Sequence, residues 1–230
     1  MQHQPSPPTQ ELLIHPDGTH IWLADGRKHR DHNLPAVTYQ DGTCEWWTHG
    51  KLHRERDLPA IVRTDGSRQW YLRGNLHRDH DKPADIASDA SCHWYSHGNR
   101  HRTADKPAII LADGTQEWWL HGLRHRIHNM PAIVTSQGAM EYWLEGRRHR
   151  SAGGPALQTP DGVEQWWLHG LLHRDDDDQC ALYNPHGTKE WFCHGKRHRI
   201  GGPAIIHPDG TLEYYTHGLK ELKHTTPPST

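Results

Sequence analysis

Twenty-four histidines, four cysteines and a run of four aspartates supply this 230-residue chain with the residue types of a metal or acid-base site. Their spacing argues otherwise. His-Arg recurs at His29-Arg30, His53-Arg54, His77-Arg78, His101-Arg102, His125-Arg126, His149-Arg150, His173-Arg174 and His198-Arg199, at intervals of 24 residues six times and then 25. A catalytic site is a unique constellation, whereas every His, Arg, Asp and Trp pattern here is copied along the chain. No G-x-S-x-G, phosphate-loop, HExxH or Cys-His nucleophile spacing occurs, so the chain reads as non-enzymatic, with no catalytic residue and no cofactor. Six more histidines (His49, His97, His121, His169, His194, His217) precede a glycine, but the same slot holds Asp25, Arg73 and Glu145. These interrupt any ladder of imidazole ligands, and no dedicated metal site is expected. Asp175-Asp176-Asp177-Asp178 lacks the spaced oxygen ligands of a calcium loop and reads as solvated. Cys44, Cys92, Cys180 and Cys193 form no CxxC pair, which suits free thiols in a reducing cytosol.

The repeated residues need elements to hold them, and the repeat itself specifies those. The consensus DGTxEWWxHGxxHRxxDxPAIVxx occurs as eight full copies and the start of a ninth. Asp-Gly between short β-branched and aromatic runs signals a hairpin, because glycine supplies the positive φ that the turn demands. His-Gly-x fits a second turn, as a type I′ pair at His-Gly or a type II′ pair at Gly-x. Each repeat then reads as a strand through Glu-Trp-Trp, a turn, a short strand toward His-Arg, a loop, and a strand from Pro-Ala. Asn33, Asp57, Asp81, Asp105, Asn129, Gly153 and Gly201 stand two residues before a proline, and these three residue types accept left-handed backbone most readily. That slot is a turn requirement rather than a set of catalytic carboxylates. Residues 1–14 and 223–230 are Pro-rich and polar and read as disordered tails, leaving one repeat domain over 15–222.

Seventeen of the 19 aromatic residues occupy the Trp-Trp doublet, whose two members must face opposite sides of a strand. The first (Trp22, Trp46, Trp70, Trp94, Trp118, Tyr142, Trp166, Trp191, Tyr214) has largely apolar neighbours two residues on and is assigned to the core. The second lies beside Glu, Gln and His and is assigned to a wetter face. Alternation puts the repeated His on the first face, packed between tryptophans with its ring nitrogens bonded to a carbonyl or a loop group. It puts the repeated Arg on the second, beside a ring suited to cation-π contact. The expected binding surface is therefore Trp47, Tyr71, Tyr95, Trp119, Trp143 and Trp167 with Arg54, Arg78, Arg102, Arg126, Arg150 and Arg174.

With 26 Lys and Arg against 28 Asp and Glu, the net charge of −2 offers no excess to attract nucleic acid or an anionic membrane surface. No apolar run approaches a membrane span and no leader pattern opens the chain, so the cytoplasm is the expected location.

The unit DGTxEWWxHGxxHRxxDxPA resembles the MORN-type repeat, in the variant of bacterial and large-virus proteins, over about residues 15–222. It departs from that pattern in its His-Arg pair, its doubled aromatic and its period of 24. The resemblance implies an all-β array of antiparallel hairpins stacked into an elongated twisted sheet without catalytic activity. Arrays of that kind serve as scaffolds, dimerisation rods and headgroup binders, and some bacterial variants are antitoxin components. The leading expectation is a binding or scaffolding protein for a protein partner, a second copy of the chain, or a small anionic ligand. A self-assembling structural protein is the other class, because hairpin arrays end in unpaired edges. A counter-defence protein that sequesters a toxin or anionic molecule is the third.

Overall fold

The computed structural model describes residues 9–151 and 153–221, and among these it holds strands, turns and loops but no helix. The expected all-β array of antiparallel hairpins is the observed architecture. The chain forms two compact units, one ending at Gly114 and one beginning at Thr115. In the first, an antiparallel ladder steps from Gln10–Ile14 to His20–Ala24, Val37–Thr38, Cys44–Glu45, Ile61–Val62, Arg68–Gln69, Asp85–Ile86, Cys92–His93 and Ile109–Ile110. In the second it steps from Gln116–Glu117 through Ile133–Val134, Met140–Glu141, Leu157–Gln158, Glu164–Gln165, Leu182–Tyr183, Lys189–Glu190 and Ile205–Ile206 to Leu212–Glu213.

The repeat around Asp41 shows why its residues fold this way. The Gly42 N–H donates to the Tyr39 carbonyl at 3.0 Å, Gly42 has φ 87°, and the Asp41 carboxylate accepts the Thr43 N–H at 2.8 Å. This is a type I turn closed by a glycine bulge, so Asp and Gly do separate jobs. The strand leaves the ladder at Trp46 and continues as Trp47–Thr48, which pairs with Lys51–Leu52 in a second, lateral hairpin. His49 at φ 46° and Gly50 at φ 79° make that turn a type I′ pair, one of the two registers open from sequence. Beyond it, Arg56 and Asp57 are both left-handed, at φ 63° and 56°. Asn33, Asp81, Asp105, Asn129, Gly153 and Gly201 share that left-handed state, as their residue types require.

The ladder carries the core. Ala36, Ala60, Ala84, Ala108, Ala132, Ala156, Ala181 and Ala204 are fully buried. Each lies where the chain is bonded on both sides: Trp46 N–H donates to the Ala60 carbonyl and Ala60 N–H to that of Gln69, both at 2.8 Å. Among the first aromatics, Trp70, Trp94, Trp118, Tyr142, Trp166 and Trp191 are buried beside them, while the second aromatics of those repeats are half-buried. The expected division of the doublet between two faces holds.

The N-terminal tail expected over 1–14 is corrected in part. Gln10–Ile14 is a strand in full register with His20–Ala24, from Gln10 opposite Ala24 to Ile14 opposite His20. Leu12, Leu13 and Ile14 give it strand character that the surrounding prolines and glutamines mask, and it covers the edge that a preceding repeat would otherwise cover. Residues 1–8 and 223–230, the remainder of the expected tails, lie outside the described residues.

Candidate functional site

The repeated arginine does not accompany the second aromatic. The guanidinium carbons of Arg54, Arg78, Arg102, Arg126, Arg150 and Arg174 lie over the first ring of the doublet, 3.7 to 3.9 Å from the centroids of Trp46, Trp70, Trp94, Trp118, Tyr142 and Trp166. Strand alternation fails here because the strand ends at Leu52 and the last bond across the hairpin is from the His53 N–H to the Trp46 carbonyl, so Arg54 already belongs to the loop and is free to fold back. Each guanidinium also bonds its own loop, and those of Arg54, Arg78, Arg102 and Arg150 reach the preceding repeat. Arg78 Nη1 donates to the Pro83 carbonyl at 3.3 Å, while Nε and Nη2 grip both oxygens of Asp57 at 2.7 and 3.1 Å. Arg102 holds Asp81 in the same way, at 2.6 and 3.2 Å. The Arg78 hydrogen bond, with Lys82 beside it, holds the Asp57 carboxyl down at about 2. Arg102 and Lys106 do the same for Asp81, also to about 2. The indole N–H of the first aromatic reaches back too, from Trp46, Trp70, Trp94 and Trp166 to the carbonyls of Asn33, Asp57, Asp81 and Gly153. The left-handed Asn/Asp slot therefore serves as a turn residue and as a socket for the next repeat.

The second aromatics form a different row on the lateral hairpins. Trp47, Trp119 and Trp143 donate their indole N–H to Glu45, Glu117 and Glu141 at 2.7 to 2.9 Å, and Trp167 donates to Gln165 at 3.0 Å. Their cationic neighbours are residues the sequence reading missed, those immediately before the repeated His. Arg124 lies 5.0 Å from the Trp119 ring and 5.2 Å from that of Trp143, and Arg148 lies 5.3 Å from Trp143 and 5.0 Å from Trp167. Lys28 covers Trp47 at 4.5 Å, and Arg100 approaches Tyr95 at 5.8 Å, whereas Tyr71 faces Leu76 across its hairpin. The signal was present once the turn type is known: in the type I′ register the residue before His is the cross-strand partner of the second aromatic, as Trp119 opposite Arg124 and Trp143 opposite Arg148.

The repeated histidines bond loop groups as expected, His53 to Glu55 and His173 to Asp175 through Nε2 at 2.8 Å. Their ring partner is the turn histidine of the next repeat instead of tryptophan. His29, His149, His173 and His198 stack on His49, His169, His194 and His217 at centroid distances of 4.2 to 4.5 Å. Burial, with His169 adding a like charge, pushes the His149 imidazole below its usual range. One such pair has Cys193 beside it, and the donor atoms of His173, Cys193 and His194 lie within 4.8 Å of one another. Both ring nitrogens of His173 are already engaged, Nε2 with Asp175 at 2.8 Å and Nδ1 with the His194 N–H at 3.3 Å, which competes with any ion for this trio.

The array is least regular in its last third. The loop after Arg174 holds five residues before Cys180, where the consensus has four before proline, and Gly153 offers no side chain where Asp57 and Asp81 do. Arg174 accordingly bonds Gln179 and the Cys180 carbonyl within its own repeat. No family model matches the chain, and no curated protein matches it.

Proposed function

We propose that the protein is a non-enzymatic binding module that docks a protein partner along the second-aromatic row of its lateral hairpins, the partner approaching over Trp119, Trp143 and Trp167. The observation that carries this reading is the alternation of Arg124 and Arg148 between those three half-buried rings. Rings and guanidinium groups in one surface are the combination that dominates binding hot spots. The repeated Arg and the first Trp are largely occupied with bonds between repeats, whereas the rings and guanidinium groups of this row bond Glu117, Glu141 and Gln165 of their own repeats and stay half-buried. The likeness of the unit to MORN-type repeats, whose arrays act as scaffolds, supports the same reading, and four unpaired cysteines fit a reducing compartment such as the cytoplasm.

The test is capture from the native cell with wild-type protein and with Arg124→Ala plus Trp143→Ala, read by mass spectrometry alongside circular dichroism. Loss of a wild-type partner with the strand spectrum intact supports the proposal. Undiminished capture sinks it, and collapse of the fold would identify the row as a packed layer.

A further inference from the structure

Between the last two full repeats the array's internal pairing departs from its pattern at Trp191, Arg199 and Arg174, residues that line one cavity. In regular repeats the left-handed loop residue gives the next repeat a carbonyl for its indole N–H and a carboxylate or amide oxygen for its arginine, as Asp57 does for Trp70 and Arg78. The loop after Arg174 cannot do this. Its extra residue is taken up by a turn in which Asp176 accepts the Asp178 N–H, and none of its residues is left-handed. The Trp191 indole nitrogen is consequently buried with no hydrogen-bond partner, in a side chain only 5% exposed. Arg199 stacks on Trp191 at 3.9 Å but meets only backbone carbonyls, those of Asp177 at 3.0 Å and Pro203 at 3.5 Å. Arg174, which faces Gly153 in place of a carboxylate, lines the same cavity of about 570 Å³, together with Lys189.

We infer that this cavity is a binding site for a small carboxylate, which takes the place of the aspartate that the array supplies to itself elsewhere. A buried indole N–H without a partner costs about 1–3 kcal/mol, and a carboxylate oxygen is its natural acceptor. Two guanidinium groups and an ammonium around it match a carboxylate in charge, each guanidinium already giving two of its N–H groups to Gln179 or to backbone carbonyls and keeping the rest for a ligand. Glu164 and Asp178 also line the cavity, so three cations face two carboxylates there and the remaining positive charge favours a singly charged anion. The site is independent of the docking row, which lies on the lateral hairpins.

Titration of the full-length protein with acetate, succinate and inorganic phosphate tests this, followed through the indole N–H resonances by NMR. The expected result is a saturable shift confined to the Trp191 indole, stronger for the carboxylates than for phosphate. Trp191→Phe should weaken calorimetrically measured binding about tenfold, the worth of a hydrogen bond to a charged group. Deletion of Asp177 restores the four-residue spacing and lets the loop fill its own socket, so binding should vanish while the denaturation midpoint rises. Arg124→Ala should bind as the wild type does. No saturable shift, equal shifts at all the indoles, or unchanged binding after the Asp177 deletion would overturn the inference. If Trp191→Phe does not fold, the deletion decides.

Discussion

An arginine stacked on an indole at 3.8 Å, 14% exposed and holding both oxygens of an aspartate, behaves quite differently from the exposed cation-π pair that the sequence suggests. An exposed contact of that kind is worth about 0.5–1 kcal/mol, and a desolvated one about 2. The planar fork makes the difference, because only guanidinium can lie flat on a ring and donate from its edge in two directions. Other single residues carry strain. Ala90 sits at φ 69° in the bulge slot that glycine fills elsewhere, a conformation that costs a residue with a Cβ roughly 1–2 kcal/mol. Ala90→Gly should therefore stabilise the protein by about 1 kcal/mol in urea denaturation, the gain offset slightly by the freer unfolded chain. An unchanged or lower midpoint would show that the turn has relaxed around alanine.

At the scale of the element, the clamp between loops links acid stability to particular carboxylates. The Asp57 and Asp81 pKa values lie at about 2 in the folded chain, below the roughly 3.9 of an unfolded one. A depressed carboxylate stabilises the fold fully above its unfolded pKa, and that contribution is lost as pH falls through the folded value. Urea midpoints should accordingly drop between about pH 4 and pH 2, and Asp57→Asn with Asp81→Asn should flatten that drop while lowering stability at neutral pH. An acid limb identical in wild type and variant would contradict the assignment. The same elements show what was legible in the sequence. The fate of Trp46 and Trp47 was readable because both lie where the backbone is regular, bonded first to the ladder and then to the lateral hairpin. That of Arg54 was not, because alternation stops with the last strand residue and says nothing of a side chain that folds back from a loop. The strand at Gln10–Ile14 was hidden by composition, since prolines and glutamines on its N-terminal side outweighed three apolar residues. The cavity at Trp191 was announced only by an irregular loop length, whose consequence depends on which bonds a regular loop makes.

Within each compact unit, stability is a sum over neighbouring repeats, because each bonds to the one before and the one after. Truncation before Asp209 removes the strand Leu212–Glu213 that covers Ile205–Ile206, and with it Tyr215 and His217. Residues 1–208 should still fold, with a melting temperature a few degrees lower and a smaller dependence on denaturant, since less surface is exposed on unfolding. Complete loss of structure would mean that the repeats do not stabilise one another locally. The direction of the bonds between repeats has a further effect at the ribosome. Trp46, Gly50 and Arg54 all donate to groups of the repeat that precedes them, and their counterparts at Trp70, Gly74 and Arg78 do the same. A nascent chain emerging at about 5–20 residues per second delivers these donors to acceptors already in place, while the new strand offers carbonyls such as Gln69 to the waiting Ala60 N–H, and hairpins close in about 1–10 μs. The protein can therefore be completed in the order in which it is synthesised, each finished repeat serving as the template on which the next one settles.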